Sequence, residues 1–125
     1  MSVMCLLIIR DIILNHVLKS YIAKTPFLGF RQITPDELFC NHQIYTADII
    51  FLELDSIDGA VFQKVKQIVD SRPTLIISDK KNLLDMYGFQ NAVSVNKSFN
   101  YSEFVRSISL LIDNQNIETF TTTYS

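Results

Sequence analysis

The segment from 48 to 55 constrains the fold of this chain more than any other part of the sequence. Its apolar residues are β-branched, leucine or aromatic, and they do not alternate with polar residues until the end of the segment. Strands buried on both faces have this composition, and they occur in parallel sheets that helices cover on each side. The segment ends with Glu53 and Asp55. Because α/β sheets bind ligands at the carboxyl ends of their strands, we expect a central strand whose end carries a candidate site.

Similar apolar segments alternate with helical patterns along the rest of the chain. Apolar runs predict further strands at 3–9, 27–33, 74–78 and 92–95. Apolar residues spaced three and four apart, or capping residues, predict helices that begin near residues 12, 34, 58, 80 and 100. Strands that alternate with helices form a parallel sheet with right-handed crossovers. The sequence therefore predicts an α/β protein with a doubly wound, five-stranded parallel sheet, a flavodoxin-like three-layer α/β/α sandwich.

The first predicted helix carries two neighbouring rows of apolar residues spaced by four. One row is Ile13, Val17 and Tyr21, and the other is Leu14, Leu18 and Ile22. Residues four apart lie on the same side of a helix, so both rows are expected to pack on the sheet. The remaining side carries His16, Lys19 and Lys24 and is expected to face solvent.

The composition limits the classes of protein to which the chain can belong. Its 125 residues fit one domain, 1–115, followed by a Thr-rich tail, 116–125, and 48% hydrophobic residues suffice for a core. The net charge is −2 and no basic cluster stands out, so we expect neither nucleic acid nor a membrane as partner. No apolar run is long enough to span a bilayer. We expect a cytoplasmic protein in which Cys5 and Cys40 are reduced, buried thiols.

Polar residues follow the predicted strands where each strand ends. Parallel strands end at one edge of the sheet, so we expect one group there: Arg10, Asp11, Glu53, Asp55, Ser78 and Lys97. Carboxylates bind Mg²⁺, a hydroxyl can donate to a phosphoryl oxygen, and a lysine can neutralise one. The ligands of such a metal would be Asp11, Glu53 and Asp55. Polar residues also collect at strand ends because the chain reaches solvent there, so ordinary surface is the alternative.

Three segments, 18–28, 48–53 and 96–100, resemble the receiver domains of two-component response regulators, and the resemblance extends over 1–115. It is closest to receivers that precede a LytTR-type DNA-binding domain. The resemblance implies an aspartate that a histidine kinase phosphorylates, a pair of acids after the first strand, a hydroxyl and a lysine. Phosphorylation would then reshape the face formed by the fourth helix, the fifth strand and the fifth helix.

The residues at the reactive positions depart from this family pattern. Glu53 stands where the resemblance places the phosphoacceptor aspartate, and Arg10-Asp11 stands where it places the pair of acids. Glutamate is one methylene longer than aspartate, so its carboxylate is displaced for in-line phosphoryl transfer. Ser78 and Lys97 match the phosphoryl-sensing hydroxyl and lysine, whereas Ser94 replaces an aromatic switch residue.

The charges at these positions argue against a metal. Asp11 and Glu53 are balanced by Arg10 and Lys97, so the formal sum is zero, or −1 when Asp55 is included. Three acids with one lysine would sum to −2. At about 4 Å and an effective dielectric near 20, a unit charge contributes roughly 4 kcal/mol, so an arginine in place of an acid repels a cation. We therefore predict no cofactor, with Arg10 or Lys97 paired to Glu53 in the metal's place.

These features predict a degenerate, receiver-like signalling domain that is independent of phosphorylation and is not an enzyme. Its partner would be a histidine kinase, another signalling protein or a second copy of the chain. The contact face would contain Met86, Tyr87, Phe89, Phe99 and Tyr101.

Three alternatives stay open. The carboxylate of Glu53 could mimic a phosphorylated aspartate. Asp55, or Glu53, could be the acceptor in a working Mg²⁺-dependent receiver. Finally, a flavodoxin-like domain could bind a small molecule at the same edge, although the first strand is not followed by a glycine-rich phosphate loop.

Overall fold

The structure, a computed structural model, describes residues 2–34, 37, 46–56, 62–79 and 92–115. The strands are β1 (Val3–Ile8), β2 (Leu28–Ile33), β3 (Ile49–Glu53), β4 (Thr74–Ile77) and β5 (Ala92–Val95). The helices within the described ranges are α1 (Ile12–Lys24), α2 (Phe62–Ser71) and α3 (Tyr101–Gln115). A short 3₁₀ turn, Leu54–Ser56, follows β3.

All five strands are parallel, in the order β2-β1-β3-β4-β5. β3 lies at the centre, and every strand ends at the same edge of the sheet. This arrangement confirms the predicted doubly wound, flavodoxin-like sheet. Strands β3 and β4 are buried along their whole length, as their continuous apolar composition predicts. β2 forms one edge of the sheet and exposes residues 30–32.

A hydrophobic core covers each face of the sheet. On one face, alternate strand residues such as Cys5 and Phe51 pack against α1 and α3. On the other face, residues such as Leu6 and Leu52 pack with α2, for example against Val65. Successive side chains of a strand point to opposite faces, so each central strand contributes to both cores. The result is a three-layer α/β/α sandwich.

Helix α1 buries one of its two predicted rows, and the prediction for the other row is wrong at its start. Leu14, Leu18 and Ile22 are buried, whereas Ile13 is 76% exposed. The first turn of α1 is apolar on several sides, so residue spacing alone does not select the buried one. The row of Leu14, Leu18 and Ile22 packs on the sheet and leaves Ile13 in solvent, while Tyr21, at the far end of the other row, is partly buried against the core.

Reciprocal side-chain bonds cap α3 at its start, as predicted. The Asn100 N–H donates to Glu103 Oε1 at 3.2 Å, and the Glu103 N–H donates to Asn100 Oδ1 at 2.8 Å. This capping box satisfies two main-chain donors that the helix leaves without partners. At the predicted start of a second helix, the Thr34 N–H similarly donates to Glu37 Oε1 at 3.1 Å.

An aromatic cluster joins α1 to α3. The ring of Tyr21 lies 5.4–5.7 Å, between centroids, from those of Phe99, Tyr101 and Phe104. Phe99 is buried in this cluster. The prediction that Phe99 is exposed for partner contact is therefore wrong, because its ring completes the core between the two helices.

Several predictions concern residues outside the described ranges. These are the remainder of the helix at 34–41, the helix at 80–87, the tail at 116–125, and the residues Cys40, Met86, Tyr87 and Phe89. Among the described residues, no helix is long and apolar enough to cross a membrane.

Candidate functional site

Glu53 is the last residue of β3, and its nearly buried carboxylate joins two neighbouring strand ends. The side chain is 5% exposed. Its Oε1 accepts hydrogen bonds from the main-chain N–H groups of Arg10 at 2.8 Å and Asp11 at 3.1 Å. Bonds from N–H groups to an ionised carboxylate are stronger than bonds between neutral groups. Glu53 therefore fixes the loop between β1 and α1 through direct hydrogen bonds.

Lys97 lies two residues after β5 and reaches both carboxylates at the end of β3. Its Nζ is 3.3 Å from Glu53 Oε2 and 3.6 Å from Asp55 Oδ2. The contact with Glu53 is the ion pair predicted from the charges. Partial burial alone would lower the pKa of Lys97. The hydrogen bond and negative charge of Glu53, followed by those of Asp55, outweigh that effect and raise the pKa.

Asp55 lies on the turn after β3 and accepts hydrogen bonds from the end of β4. Ser78 Oγ donates to Asp55 Oδ1 at 2.5 Å, and the Asp79 N–H donates to Asp55 Oδ2 at 3.4 Å. Desolvation acts to raise the pKa of Asp55. The bond from Ser78, then that from Asp79, then the positive charge of Lys97, together lower the pKa below its ordinary value. Asp55 is therefore the carboxylate that contacts both the predicted hydroxyl and the predicted lysine.

Asp79 belongs to the site although it was not predicted from the sequence. Its Oδ1 accepts a hydrogen bond from the main-chain N–H of Lys97 at 3.1 Å. Together with its own N–H bond to Asp55, this contact holds the loop after β5 against the end of β4. Acids that follow parallel strands lie at this edge of the sheet. Asp79 comes two residues after β4, so its place in the sequence could have indicated that it belongs to the site.

Asp11 has a structural task that differs from the predicted one. Its Oδ1 accepts the N–H groups of Ile13 at 2.9 Å and Leu14 at 3.1 Å, so it caps the start of α1. An acid at this position satisfies main-chain donors and interacts favourably with the positive end of the helix dipole. The acid pair that the resemblance implies is thus represented by one capping carboxylate and by Arg10.

The three predicted metal ligands, Asp11, Glu53 and Asp55, take part in different contacts. Within the described part of the chain, no group of three His, Cys, Asp or Glu side chains is placed to hold a metal ion. The Lys97 ammonium lies beside Glu53 and Asp55, and the Asp11 carboxylate caps α1. Mg²⁺ requires a near-octahedral shell of oxygens, and an ammonium group in contact with two of the three proposed ligands opposes that shell.

Two further predicted positions lie at this edge or beside it. Arg10 is exposed and supplies its main-chain N–H to Glu53. Ser94, the position of the lost aromatic, is an exposed residue of β5 opposite Ile76 of β4.

Comparison with known proteins identifies the fold. No family model matches the chain, and no curated protein matches it. Among solved structures, the chain is similar to a response regulator receiver protein from Sinorhizobium medicae WSM419. The TM-score is 0.69 at 17% sequence identity, over 90% of this chain and 95% of that one. The chain therefore has the fold of a response regulator receiver.

Proposed function

We propose that the chain is a degenerate receiver-like signalling domain that acts through protein contacts, independently of phosphorylation and without catalytic activity. The observation that carries this proposal is the position of Lys97 Nζ, 3.3 Å from Glu53 Oε2 and 3.6 Å from Asp55 Oδ2. This ammonium belongs to the chain and neutralises charge on both carboxylates, which reduces their attraction for a divalent cation.

The carboxylate at the phosphoacceptor position is engaged by the protein itself. Glu53 Oε1 accepts two main-chain bonds, and Glu53 Oε2 faces Lys97. A carboxylate that attacks phosphorus must give up such contacts and approach along the line of the leaving group. Because its side chain is nearly buried, Glu53 is also shielded from a phosphodonor. These contacts favour a structural role for Glu53.

One observation favours a second candidate, in which Asp55 is the phosphoacceptor. Asp55 is more exposed than Glu53 and contacts both Ser78 and Lys97. Its low pKa keeps it ionised, as a nucleophile must be. The absence of a gathered metal-ligand set among the described residues weighs against this candidate, since phosphoryl transfer relies on a metal to neutralise developing charge.

Incubation with acetyl phosphate and Mg²⁺, followed by intact-mass measurement, tests the two candidates. We expect the wild-type chain to stay unmodified. The variants Asp55→Asn and Glu53→Gln are measured alongside it. A phosphoryl adduct that disappears in Asp55→Asn would contradict the proposal and establish the second candidate. An adduct that disappears in Glu53→Gln would assign the acceptor to Glu53.

The partner belongs to the same proposal. We propose a histidine kinase, another signalling protein or a second copy of the chain in the cytoplasm, and we retain the likeness to LytTR-type regulators as a prediction. Phe99 is buried in the core. Within the described part of the chain, the aromatic residue that remains on the predicted contact face is Tyr101, which is half-buried. Light scattering tests self-association: a dimer would support contact between copies, whereas a monomer would exclude it and leave a different protein as partner.

A further inference from the structure

Strand β2 leaves one side open at the edge of the sheet. It pairs with β1, and no other strand in the described ranges pairs with it. Phe30, Arg31 and Gln32 follow one another on β2 and are all exposed, with 42% of Phe30 accessible. Because successive side chains point to opposite faces, this part of β2 is accessible from both faces of the sheet. An open edge strand is a template on which a further strand can pair.

The pairing with β1 identifies the main-chain groups of β2 that point outward. The Val3 N–H donates to the carbonyl oxygen of Phe27 at 2.7 Å. In a parallel ladder, alternate residues of a strand direct their main-chain groups to the same neighbour. Counted in steps of two from Phe27, Arg31 directs its N–H and C=O to β1. Phe30 and Gln32 therefore direct theirs away from the sheet, where they offer two donors and two acceptors.

A groove lies between this open edge and α1, and we call it the α1–β2 groove. Its volume is about 240 Å³, and it is lined by Ile12, Asn15, His16, Lys19 and Gln32. That volume holds about eight water-sized groups of about 30 Å³ each, which suits two short side chains. A strand added beside β2 would direct alternate side chains to the α1 face, where the groove lies. Main-chain bonds with side-chain pockets beside them are the features of binding by strand addition.

The charges at the open edge favour an acidic occupant. On the α1 face, Lys19 Nζ lies 5.6 Å from the centre of the Phe30 ring. Ile33 belongs to the core on the α2 face, so Arg31, two residues earlier, points to that face. Neither Lys19 nor Arg31 forms an ion pair with another residue that the structure describes. None of the residues that line the groove is acidic. Each face of the edge thus presents one cation to an added strand.

Phe27, directly before β2, adds an exposed aromatic ring held in an unfavourable backbone conformation. Its φ is 61° and its side chain is exposed. Bulky residues rarely adopt a positive φ, and such strain occurs at sites that bind or switch. Because the ring is exposed, packing in the core does not compensate for the strain. Contact with a partner gives both Phe27 and Phe30 a role that the fold does not.

We propose that the open edge of β2 and the α1–β2 groove bind an extended, acidic segment of a partner protein as a sixth strand. Main-chain bonds to Phe30 and Gln32 hold the segment. One carboxylate pairs with Lys19, and a carboxylate at the adjacent position, on the other face, pairs with Arg31. An apolar residue two positions from the first carboxylate lies against the exposed side chain of Ile12.

A second copy of the chain fits this edge less well than an acidic segment. Symmetric pairing of two β2 strands would bring Lys19 and Arg31 of one copy close to the same cations of the other. The proposed contact is also separate from the face discussed under the proposed function, because β2 and β5 lie at opposite edges of the sheet. It therefore stands or falls independently of that function.

The peptide acetyl-Thr-Val-Glu-Glu-Glu-Val-Thr-amide, added to the ¹⁵N-labelled full chain, tests the proposal. Its sequence reads the same in both directions, so the test does not depend on strand direction. At a peptide concentration ten times its Kd, we expect amide hydrogen exchange of Phe30 and Gln32 to slow about tenfold. Exchange of Arg31, whose N–H points to β1, should stay unchanged. A peptide with glutamine in place of the three glutamates should bind about tenfold more weakly.

Matched variants show whether the two edge cations are responsible. We expect Lys19→Gln and Arg31→Gln each to weaken peptide binding about threefold to tenfold. Lys24→Gln removes an equal charge from α1 at a lysine that lies 5.7 Å from the Tyr101 ring, and it should leave binding unchanged. Equal weakening by all three substitutions would indicate attraction by net charge alone and would overturn the proposal.

Two further outcomes would also overturn it. The first is unchanged exchange of Phe30 and Gln32 at peptide concentrations up to the millimolar range. The second is a dimer of the chain without peptide in which the exchange of these two amides is already slow. That result would assign the edge to a second copy instead of an acidic partner.

Discussion

The ammonium of Lys97 is the counter-ion of the nearly buried carboxylate of Glu53, with 3.3 Å between Nζ and Oε2. The lysine side chain is 29% exposed, so water reaches one partner of the pair but hardly the other. A carboxylate without its counter-ion in such a place is costly, because burial removes the water that would stabilise its charge. The pair therefore supports the fold as well as occupying the site.

Replacing Lys97 by methionine should destabilise the protein by about 1–3 kcal/mol. The loss of one partner of a fully buried pair costs about 3–5 kcal/mol, and the partial exposure of Lys97 reduces that figure. Urea unfolding at neutral pH measures the difference. Lys66→Met is the matched control, since Lys66 pairs with Asp70 at 2.9 Å on the exposed side of α2. We expect the control to change stability by less than about 1 kcal/mol. Equal losses would contradict this account of Glu53.

The pKa of Asp55 should depend on Ser78. Ser78→Ala removes the hydrogen bond that contributes most to lowering the pKa, so we expect the pKa to rise toward 3.8, its ordinary value. NMR titration of the Asp55 carboxyl carbon measures it. Ser107→Ala is the control. Ser107 is a buried serine outside the site, and its hydroxyl donates a hydrogen bond to the carbonyl oxygen of Glu103. An unchanged pKa of Asp55 in Ser78→Ala would show that the bond is not maintained in solution.

The lowered pKa of Asp55 determines how its contribution to folding stability changes with pH. A carboxylate with a lowered pKa in the folded state favours folding above its unfolded pKa, because the unfolded chain binds the proton more tightly. The contribution of Asp55 is therefore fully present above 3.8 and is lost as the pH falls through the folded pKa. Acid unfolding of Asp55→Asn should accordingly depend less on pH in this window than that of the wild type.

Much of the fold follows from local sequence. The apolar runs of β1, β3 and β4 predict central parallel strands, since few other structures bury an uninterrupted segment such as 49–52. The side of α1 that packs on the sheet was predicted only in part. Ile13 and Leu14 are equally apolar, and the choice between them depends on how the helix rests on β1, which is a tertiary contact.

The sequence predicted which residues meet at the candidate site better than it predicted what each of them does there. Glu53, Asp55, Ser78 and Lys97 come together because parallel strands end at one edge. The two main-chain bonds to Glu53 were not predictable, because main-chain donors leave no residue-type signal. Asp11 was predicted as a site acid, whereas the structure shows that it caps α1.

The Cys5 thiol should be inert in the native protein. Burial, with a contribution from the charge of Asp48, raises its pKa to about 12, and a thiol reacts as the thiolate. In a Cys40→Ser background, where Cys5 is the remaining cysteine, an aromatic disulfide reagent should react only after denaturation. Rapid reaction under native conditions would contradict the burial of β1. The raised pKa also predicts that stability falls with pH above 9.0, where the unfolded thiol ionises first.

Phe104 should be the most sensitive core position of α3. It is fully buried, and its ring centroid lies 5.5 Å from that of Tyr21 and 5.8 Å from that of Phe51. Phe104→Ala should cost about 3–5 kcal/mol through lost contacts and the cavity left behind. The next residue, Val105, is 38% exposed, and Val105→Ala should cost less than about 1 kcal/mol. Denaturant unfolding compares them, and similar losses would contradict the orientation of α3.

Magnesium titration of the ¹⁵N-labelled chain tests the central claim, that Lys97 occupies the place of a divalent cation, most directly. The amide resonances of Glu53, Asp55 and Asp79 report on this edge of the sheet. We predict that the wild type shows no saturable shift there at millimolar Mg²⁺, and that any response is larger in Lys97→Met, which lacks the competing ammonium. Saturable binding to the wild type at millimolar Mg²⁺, no weaker than to Lys97→Met, would contradict the claim.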